Sequence, residues 1–318
     1  MELNNNINKD QALHVRDLIN ERKKSKTMSQ YIEKMVPHFL KIVTAISILT
    51  TCFIVFTLLT ETVSFFKQVS LLDFFSGTKL KPLSQNPEFG ILPLVVGTLY
   101  SSLIAMTVAA PIGLMSAIFL SEYASDNLRK IMKPLLEILA GIPTIVYGFF
   151  AFTFVTPLLK MLIPGLETTN ILSPGIVMGI MIIPMIASLS EDAMHSVPNS
   201  IREGALALGA TKLEVTLRVV IPAALSGIIS SFVLAISRAI GETMIVTIAS
   251  GSSKQLTFDI TQSMQTMTAY IVEVTSGDAA AGSTIYYSLY AVAMTLFIFT
   301  LLMNLFARYI SKRFKEEY

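Results

Sequence analysis

The stretch "REGALALGATKLEVTLRVVIP", residues 202–222, predicts two short helices joined at a glycine. The first helix is expected to stop at Gly209, because glycine commonly ends a helix. Thr211 is placed to cap the second helix, and Pro222 opens the next apolar run. Four apolar side chains of this stretch need cover, namely Ala205, Leu206, Leu208 and Leu213. We therefore expect the two helices to present an apolar surface to a soluble partner.

The stretch lies between apolar runs that are long enough to cross a membrane. Of the 318 residues, 53% are hydrophobic and 14% are charged, against about 25% charged in an ordinary soluble domain. A spanning helix needs about 20 apolar residues. Six such runs occur, at 42–60, 89–121, 138–159, 168–190, 223–251 and 283–307. The sequence therefore predicts an all-α, polytopic membrane protein with six transmembrane helices.

The basic residues predict which side of the membrane each loop faces, because Lys and Arg concentrate in cytoplasmic loops. Eighteen of the 24 Lys and Arg residues lie in four segments, 1–41, 121–133, 191–222 and 308–318. These segments are predicted to be cytoplasmic, together with both termini. The segments 61–90, 160–172 and 252–282 are then outside. We expect the last of these to be an exposed loop, because it is rich in Thr, Ser, Gly and Asp.

Several other classes of function find no support in the sequence. The net charge of +2 is too small to indicate nucleic-acid binding. The single cysteine, Cys52, cannot form an intramolecular disulfide, and the three histidines lack ligand partners at useful spacing, so no metal site is expected. Gly204, Gly209 and Lys212 are only faintly similar to a phosphate-binding loop, in which the lysine directly follows the second glycine. No nucleotide site is expected in this chain.

Helix-breaking residues occur within two of the predicted spans. Gly141 and Pro143, in "LAGIPTIVYGFF" (139–150), predict a break or kink, and Pro111 with Gly113 predicts a kink in the preceding span. Interrupted helices line the substrate path in many transporters. Glycine and proline are also common as simple packing residues in membrane helices, so a pathway and a packing role both remain open.

Arg238 and Glu242, in "SRAIGETM" (237–244), are the only ionisable side chains of the run 223–251. Their spacing of four predicts that they share one face of a single helix, which would lead there from the 202–222 stretch. A charge at bilayer depth costs about 2.5–3.5 kcal/mol, which favours a functional use. A guanidinium matches an oxyanion bidentately, and Glu242 could steady Arg238 or accept a hydrogen bond from a protonated anion. The alternative is a structural salt bridge to a partner chain.

Three further acids near the cytoplasmic side have simpler predicted roles. Glu137 is expected to pair with Lys133 or Arg129, and Glu122 is expected to be an inner-loop contact. Glu203 is expected to act in coupling to a partner, for the reason that follows.

The residues from Glu203 to Pro222 resemble the EAA motif of ABC importer permeases. That motif is Glu-Ala-Ala, three residues, Gly, nine residues, Ile, any residue, and Leu-Pro. This chain keeps the spacing throughout, with three conservative departures: Gly204 for Ala, Val219 for Ile and Ile221 for Leu. The resemblance implies the type I importer permease (MetI-like) fold. It also implies that this segment docks on a separate ATPase, through Glu203, Gly204, Ala205, Gly209, Ile221 and Pro222.

Longer stretches are similar to the PstC permeases of phosphate importers. They are "EFGILPLVVGTL" (88–99), "PIGLMSAIFLSEYA" (111–124), "KPLLEILAGIPTIVYGFF" (133–150), "VPNSIREGALALGATKLEV" (197–215) and "SRAIGETM" (237–244). The resemblance implies passage of inorganic phosphate along Arg238 and Glu242. It further implies a PstA-like second permease, an ATPase dimer that binds ATP and Mg, and an extracytoplasmic phosphate-binding protein. The chain itself would hold no cofactor and no catalytic residue.

The resemblance and the charge pattern together predict how the chain is organised and where it resides. The segments are a cytoplasmic basic tail (1–37), a first transmembrane helix (38–66), an extracytoplasmic loop (67–90), a permease core (91–309) with coupling helices at 197–221, and a cytoplasmic tail (310–318). We expect a bacterial or archaeal plasma membrane, with lipid as surroundings. The alternatives are a permease for sulfate or molybdate and a stand-alone secondary transporter, which would be expected to show a second repeat.

Overall fold

The computed structural model describes residues 2–277 and 279–313 and is almost entirely helical. The last part of the predicted 310–318 tail, with Lys315, lies outside the described residues. Contacts divide the chain into two units, Met1–Thr57 and Leu58–Tyr318.

The first unit consists of the larger part of helix α1, which begins at Glu2 and ends at Phe66. The helix has no break between the predicted tail and the predicted first span, and Pro37 lies inside it. From Met35 to Thr57 its side chains are almost all exposed within the unit, although most are apolar. Such an all-round apolar surface is typical of a helix surrounded by lipid or by other membrane helices.

The second unit holds the remaining elements. They are α2 (Leu71–Ser76), β1 (Leu80–Lys81), β2 (Glu88–Phe89), α3 (Leu92–Ile118), α4 (Asp126–Ala140), α5 (Thr144–Phe150), α6 (Thr156–Leu162), α7 (Leu172–His195), α8 (Asn199–Ala207), α9 (Lys212–Val215), α10 (Ile221–Ala223), α11 (Leu225–Gly241), α12 (Met244–Ala249), α13 (Met267–Ser276) and α14 (Thr284–Arg313). Three π-helical turns lie between them, at Phe119–Tyr123, Ala151–Val155 and Thr216–Val220.

Five helical segments in the described residues are long and apolar enough to cross a membrane. They are Met35–Phe66, Leu92–Tyr123, Thr144–Leu162, Leu172–His195 and Thr284–Ile310. A sixth is obtained if the bent pair Lys212–Ala223 and Leu225–Gly241 is one span, although its halves meet at 70°. The π-helical turn before this bend is followed within two residues by Pro222, which cannot donate a backbone hydrogen bond and disturbs the preceding turn.

The central core forms where α3, α5, α11 and α12 surround α7. Its buried members include Met178, Ile182, Ala235 and Ile245. The close approach of α5 and α12 depends on Gly148, because a Cβ added there would lie 2.9 Å from Cδ1 of Ile248 and 3.2 Å from Cα of Ile245. Small residues at such crossings let membrane helices pack backbone to backbone. This packing fixes α12 beside the helix break predicted at Gly141 and Pro143.

The prediction of an exposed loop at 252–282 is wrong in its second half. Helix α13 lies there, and Tyr270 and Met267 are fully buried. They pack in a second cluster with Phe65, Phe74 and residues of α14. The 67–90 segment contributes α2 and the short antiparallel pair of β1 and β2, with Leu80 opposite Phe89. The apolar side chains of α13 therefore find cover from segments that are distant in sequence, a relation that local composition does not reveal.

Candidate functional site

The stretch that carries the EAA-like spacing forms a helical hairpin, which we define as α8, α9 and the turn between them (residues 199–215). The turn is made by Gly209, whose φ of 88° is accessible to glycine at little cost. The predicted cap at Thr211 is confirmed: its Oγ1 accepts from the Glu214 amide at 3.3 Å, and Glu214 Oε2 accepts from the Thr211 amide at 2.9 Å. The backbone and side-chain hydrogen bonds from Thr211 lower the pKa of Glu214.

The hairpin turns its leucines outward. Leu208 is 91% exposed at the tip, and Leu206 and Leu213 are exposed beside it. Ala205 behaves differently, because it packs against the cluster that includes Met194 and Val197. The prediction that four apolar positions need cover therefore holds for the leucines, whereas Ala205 is already partly covered by the chain itself.

The other residues of the motif divide between surface and core. Glu203, Gly204 and Pro222 are exposed. Ile221 is half-buried against the same cluster as Ala205. The motif therefore combines a surface that a partner can touch with inward residues that seat the hairpin on the spans.

The two glycines of the hairpin provide a test of its geometry. Gly209→Ala should destabilise the protein by about 1–2 kcal/mol, because the Cβ of alanine lies too close to the backbone in a left-handed conformation. Gly204→Ala should be neutral or slightly stabilising, since a Cβ there meets nothing within 4 Å and alanine favours a helix. Thermal unfolding of the two purified variants measures the difference. Equal midpoints for the two variants would contradict the assigned turn.

The predicted arrangement of Arg238 and Glu242 on one helix face is wrong. Helix α11 ends at Gly241, and Glu242 is extended, with φ −65° and ψ 133°. Helix α12 begins only at Met244. The carboxylate of Glu242 stabilises this break, because its Oε1 accepts from the amides of Met244 at 3.1 Å and Ile245 at 3.4 Å. No ion pair joins Arg238 to Glu242 among the described residues.

Glu242 is held in place from a second side as well. It is only 8% exposed, and its backbone carbonyl accepts a hydrogen bond of 2.8 Å from Oγ1 of Thr268 in α13. The carboxylate therefore caps α12, while its backbone ties the break to α13. Glu242 steadies the break in the helix and does not steady the arginine.

Arg238 lies half-buried in the last turn of α11. Tyr147 of α5 is buried in the central core together with Ala235 and Ala239 of α11, and its hydroxyl donates to the carbonyl of Leu139 at 2.9 Å. Leu139 lies at the end of α4, directly before the break at Gly141 and Pro143, which the sequence predicted and the structure confirms. The arginine therefore lies where two interrupted helices approach each other. Exposed helix ends of this kind supply polar groups at membrane depth.

A group of ion pairs at the C-terminal end of α7 was not predicted from the sequence. Glu191 is 2% exposed and lies 2.7 Å from Nζ of Lys133 and 3.3 Å from Nε of Arg129. Asp192 lies 2.5 Å from the same Lys133. Burial lowers the pKa of Lys133, but its hydrogen bonds to Asp192 and Glu191 outweigh that effect and raise it. Lys133 is therefore charged at physiological pH, and α4 is fastened to α7.

The expected pairing of Glu137 with Lys133 or Arg129 is wrong, because both cations pair with Glu191 while Glu137 is exposed. The expected inner-loop contact of Glu122 is confirmed by its pairing with Arg202, at 3.2 Å. A signal for Glu191 was present in the sequence: an adjacent Glu and Asp end a charge-free run and face a basic segment across the same predicted side.

The comparisons with known proteins agree over most of the chain. The profile of the family described as "Binding-protein-dependent transport system inner membrane component" matches residues 109–316. The phosphate transport system permease protein PstC of Mesorhizobium japonicum is 36% identical over 72% of this chain and 76% of its own length. The probable ABC transporter permease protein YqgH of Bacillus subtilis is 33% identical over 78% of this chain and 80% of its own length.

Solved structures share the fold at low sequence identity. A chain of the MetNI methionine ABC transporter in an inward-facing conformation has a TM-score of 0.52 at 15% identity, over 71% of this chain and 95% of its own. A chain of a bacterial alginate ABC transporter, solved with a periplasmic protein, has a TM-score of 0.58 at 16% identity, over 86% of this chain and 95% of its own. The predicted MetI-like fold is thereby confirmed. The chain belongs to the family of inner membrane components of binding-protein-dependent transport systems.

Proposed function

We propose that this chain is a permease subunit of an ATP-driven importer of inorganic phosphate. The observation that carries the proposal is the position of Arg238, a cation between two interrupted helices of the core, in a chain whose relatives include phosphate permeases at 36% identity. A cation at this depth is costly unless it has an anionic partner or faces water. Among the described residues, no carboxylate forms an ion pair with it.

Phosphate suits this site better than a fully deprotonated oxyanion. The guanidinium can bind two phosphate oxygens at once. Glu242 uses Oε1 to cap α12, and its other oxygen is the proposed acceptor for a hydroxyl of protonated phosphate. Sulfate has no such hydroxyl at neutral pH and would instead meet the repulsion of the carboxylate. The helix break and the discrimination between anions would thus depend on one side chain.

The proposed complex has four kinds of component besides this chain and the lipid around it. They are a PstA-like permease that forms a heterodimer with this chain, an ATPase dimer that binds ATP and Mg, an extracytoplasmic phosphate-binding protein, and phosphate itself. The permease has no catalytic residue of its own in this proposal. Both termini and the helical hairpin lie in the cytoplasm, as the basic residues favour.

In the proposed cycle, the exposed leucines of the hairpin dock on one ATPase. ATP binding draws the two ATPases together and moves the hairpin. The movement reaches α11 through the bend near Pro222, and α11 carries Arg238 in its last turn. Residues Glu203, Gly204, Ala205, Gly209, Ile221 and Pro222 are proposed to make or support the ATPase contact. Arg238 and Glu242 are proposed to meet the anion.

Uptake into proteoliposomes that contain the complete complex tests the proposal. We expect labelled phosphate to accumulate only when ATP and the binding protein are both present. An excess of sulfate should not reduce this uptake. Inhibition by sulfate or molybdate in proportion to their concentration would assign another oxyanion. Accumulation by the permease alone, driven by an ion gradient, would assign a secondary transporter and overturn the proposal.

A further inference from the structure

Three segments of the core meet at one arginine of the helical hairpin. Arg202 lies in α8, and its Nη2 donates to the carbonyl of Met194 at 2.6 Å, in the last turn of α7. Its Nη1 donates to the carbonyl of Val197 at 2.7 Å, directly after α7. The same Nη2 lies 3.2 Å from Oε1 of Glu122, in the π-helical turn that ends the α3 span. A single side chain therefore joins the hairpin to the ends of two spans.

The surroundings of Arg202 strengthen these contacts. Its side chain is 15% exposed and that of Glu122 is 7% exposed, so solvent screens the pair only weakly. The carbonyls at a helix C-terminus lack partners within the helix and carry partial negative charge, which favours a cation there. Oγ of Ser121 donates to the Oε1 of Glu122 at 2.8 Å, which fixes the carboxylate.

One donor of Arg202 is not used in this arrangement. Its Nε is buried and has no hydrogen-bond partner among the described residues. Glu122 makes its contact with Arg202 through Oε1 only. A guanidinium can bind a carboxylate through two parallel hydrogen bonds. In this structure the pair makes a single contact, and the buried Nε leaves one donor of the guanidinium without an acceptor.

The ionic link through Arg202 has no equivalent at the hairpin within the described residues. Among the described residues, the Arg202–Glu122 pair is the one ion pair between the hairpin and a span. The pairs of Glu191 join α4 to α7, and the Lys254–Glu273 pair lies at the opposite end of the core. The backbone leads from the hairpin to α7 on one side and to α11 on the other, and not directly to α3. A force on the hairpin can reach the α3 span through the apolar cluster around Val215, through Nζ of Lys212, which lies 5.0 Å from the ring centroid of Tyr123, or through Arg202, whose link is the ionic one.

We propose that Arg202 is a positioning residue that transmits movement of the hairpin to the ends of α3 and α7 through Glu122, Met194 and Val197. This inference rests on the proposed function, since it assigns the linkage between the ATPase contact and the spans. Without the linkage, the hairpin still docks and the ATPases still turn over, but their movement no longer opens and closes the core in step. The expected signature is hydrolysis of ATP without import.

The experiment measures import and ATP hydrolysis side by side in proteoliposomes with the complete complex and its binding protein. Arg202→Lys keeps the charge but loses the fork of donors, and Glu122→Gln keeps the shape but loses the charge. Each should lower import roughly tenfold, as expected for one charge-assisted contact, while ATP hydrolysis stays within about twofold. The loss of import in the double variant should be smaller than the product of the two single losses, because both substitutions disturb the Arg202–Glu122 contact. Arg218→Lys, at an exposed position nearby, is the matched control.

Each other result has a definite meaning. Import and hydrolysis that stay unchanged, or that fall together, would overturn the role of Arg202. Loss of co-purification with the ATPase in both single variants would also overturn it, because the pair would then serve assembly. A wild-type complex that hydrolyses ATP on addition of binding protein but imports no phosphate would refute the proposed substrate and not the linkage. The ratio of hydrolysis to import can then be measured with the anion that is transported.

Discussion

Replacing Arg238 with alanine is expected to lower phosphate import about a hundredfold, because a bidentate charge-assisted contact contributes about 3 kcal/mol. The arginine lies in the last turn of α11, directly before the break that Glu242 caps, and no cation pairs with Glu242 in the part of the chain that the structure describes. Arg238→Lys should retain part of the import, since it keeps the charge but not the planar fork. Initial rates of labelled phosphate uptake measure both effects.

The matched control for this variant is Arg308→Ala, which removes an exposed arginine from α14. It should import at close to the wild-type rate. Co-purification of the partner permease and the ATPase establishes that the Arg238 variant is assembled. Near-normal import by assembled Arg238→Ala would contradict a contact between this side chain and the anion.

The second large effect is expected at the tip of the helical hairpin. Leu208→Asp should weaken association with the ATPase by at least tenfold, since burial of a leucine contributes about 1.5–3 kcal/mol and a buried unpaired carboxylate adds a further cost. Leu208 is 91% exposed and contacts little of its own chain, so the folded permease should keep its thermal stability. Co-purification and ATP hydrolysis at several ATPase concentrations measure the loss.

Leu83→Asp provides the control for this prediction. Leu83 is 85% exposed and lies in the segment predicted to be outside the membrane. The same chemical change there should leave the ATPase association unaltered. Equal losses for the two variants would indicate a general effect on the protein. An unaltered association for Leu208→Asp would mean that the ATPase contacts a different surface.

Local signals in the sequence were sufficient for much of this fold. The spans follow from uninterrupted apolar runs, because a backbone in lipid must satisfy its own hydrogen bonds. The cap at Thr211 and the turn at Gly209 follow from side-chain chemistry within a few residues. The break at Gly141 and Pro143 has the same local origin. In each case the residues that decide the conformation are neighbours in the chain.

The features that the sequence analysis missed depend on distant residues. Gly241 alone does not end a membrane helix; the end is stabilised by the carboxylate of Glu242 and by Thr268, 26 residues further on. Helix α13 is buried by Phe65, Phe74 and α14. Glu191 pairs with Lys133, which lies 58 residues earlier in the chain. The isolated charges at 238 and 242 could be recognised as unusual, but their relation to each other required the fold.

The close approach at Gly148 also constrains how sequences of this fold can diverge. A side chain at position 148 would meet Cδ1 of Ile248 and also the backbone of Met244 and Ile245, so a larger residue there requires α5 and α12 to move apart. The distance between α5 and α12 is therefore set by the absence of a side chain at position 148. Because α5 and α12 each lie next to a helix break near Arg238, a change in the size of a residue where they touch would also shift the surroundings of that arginine.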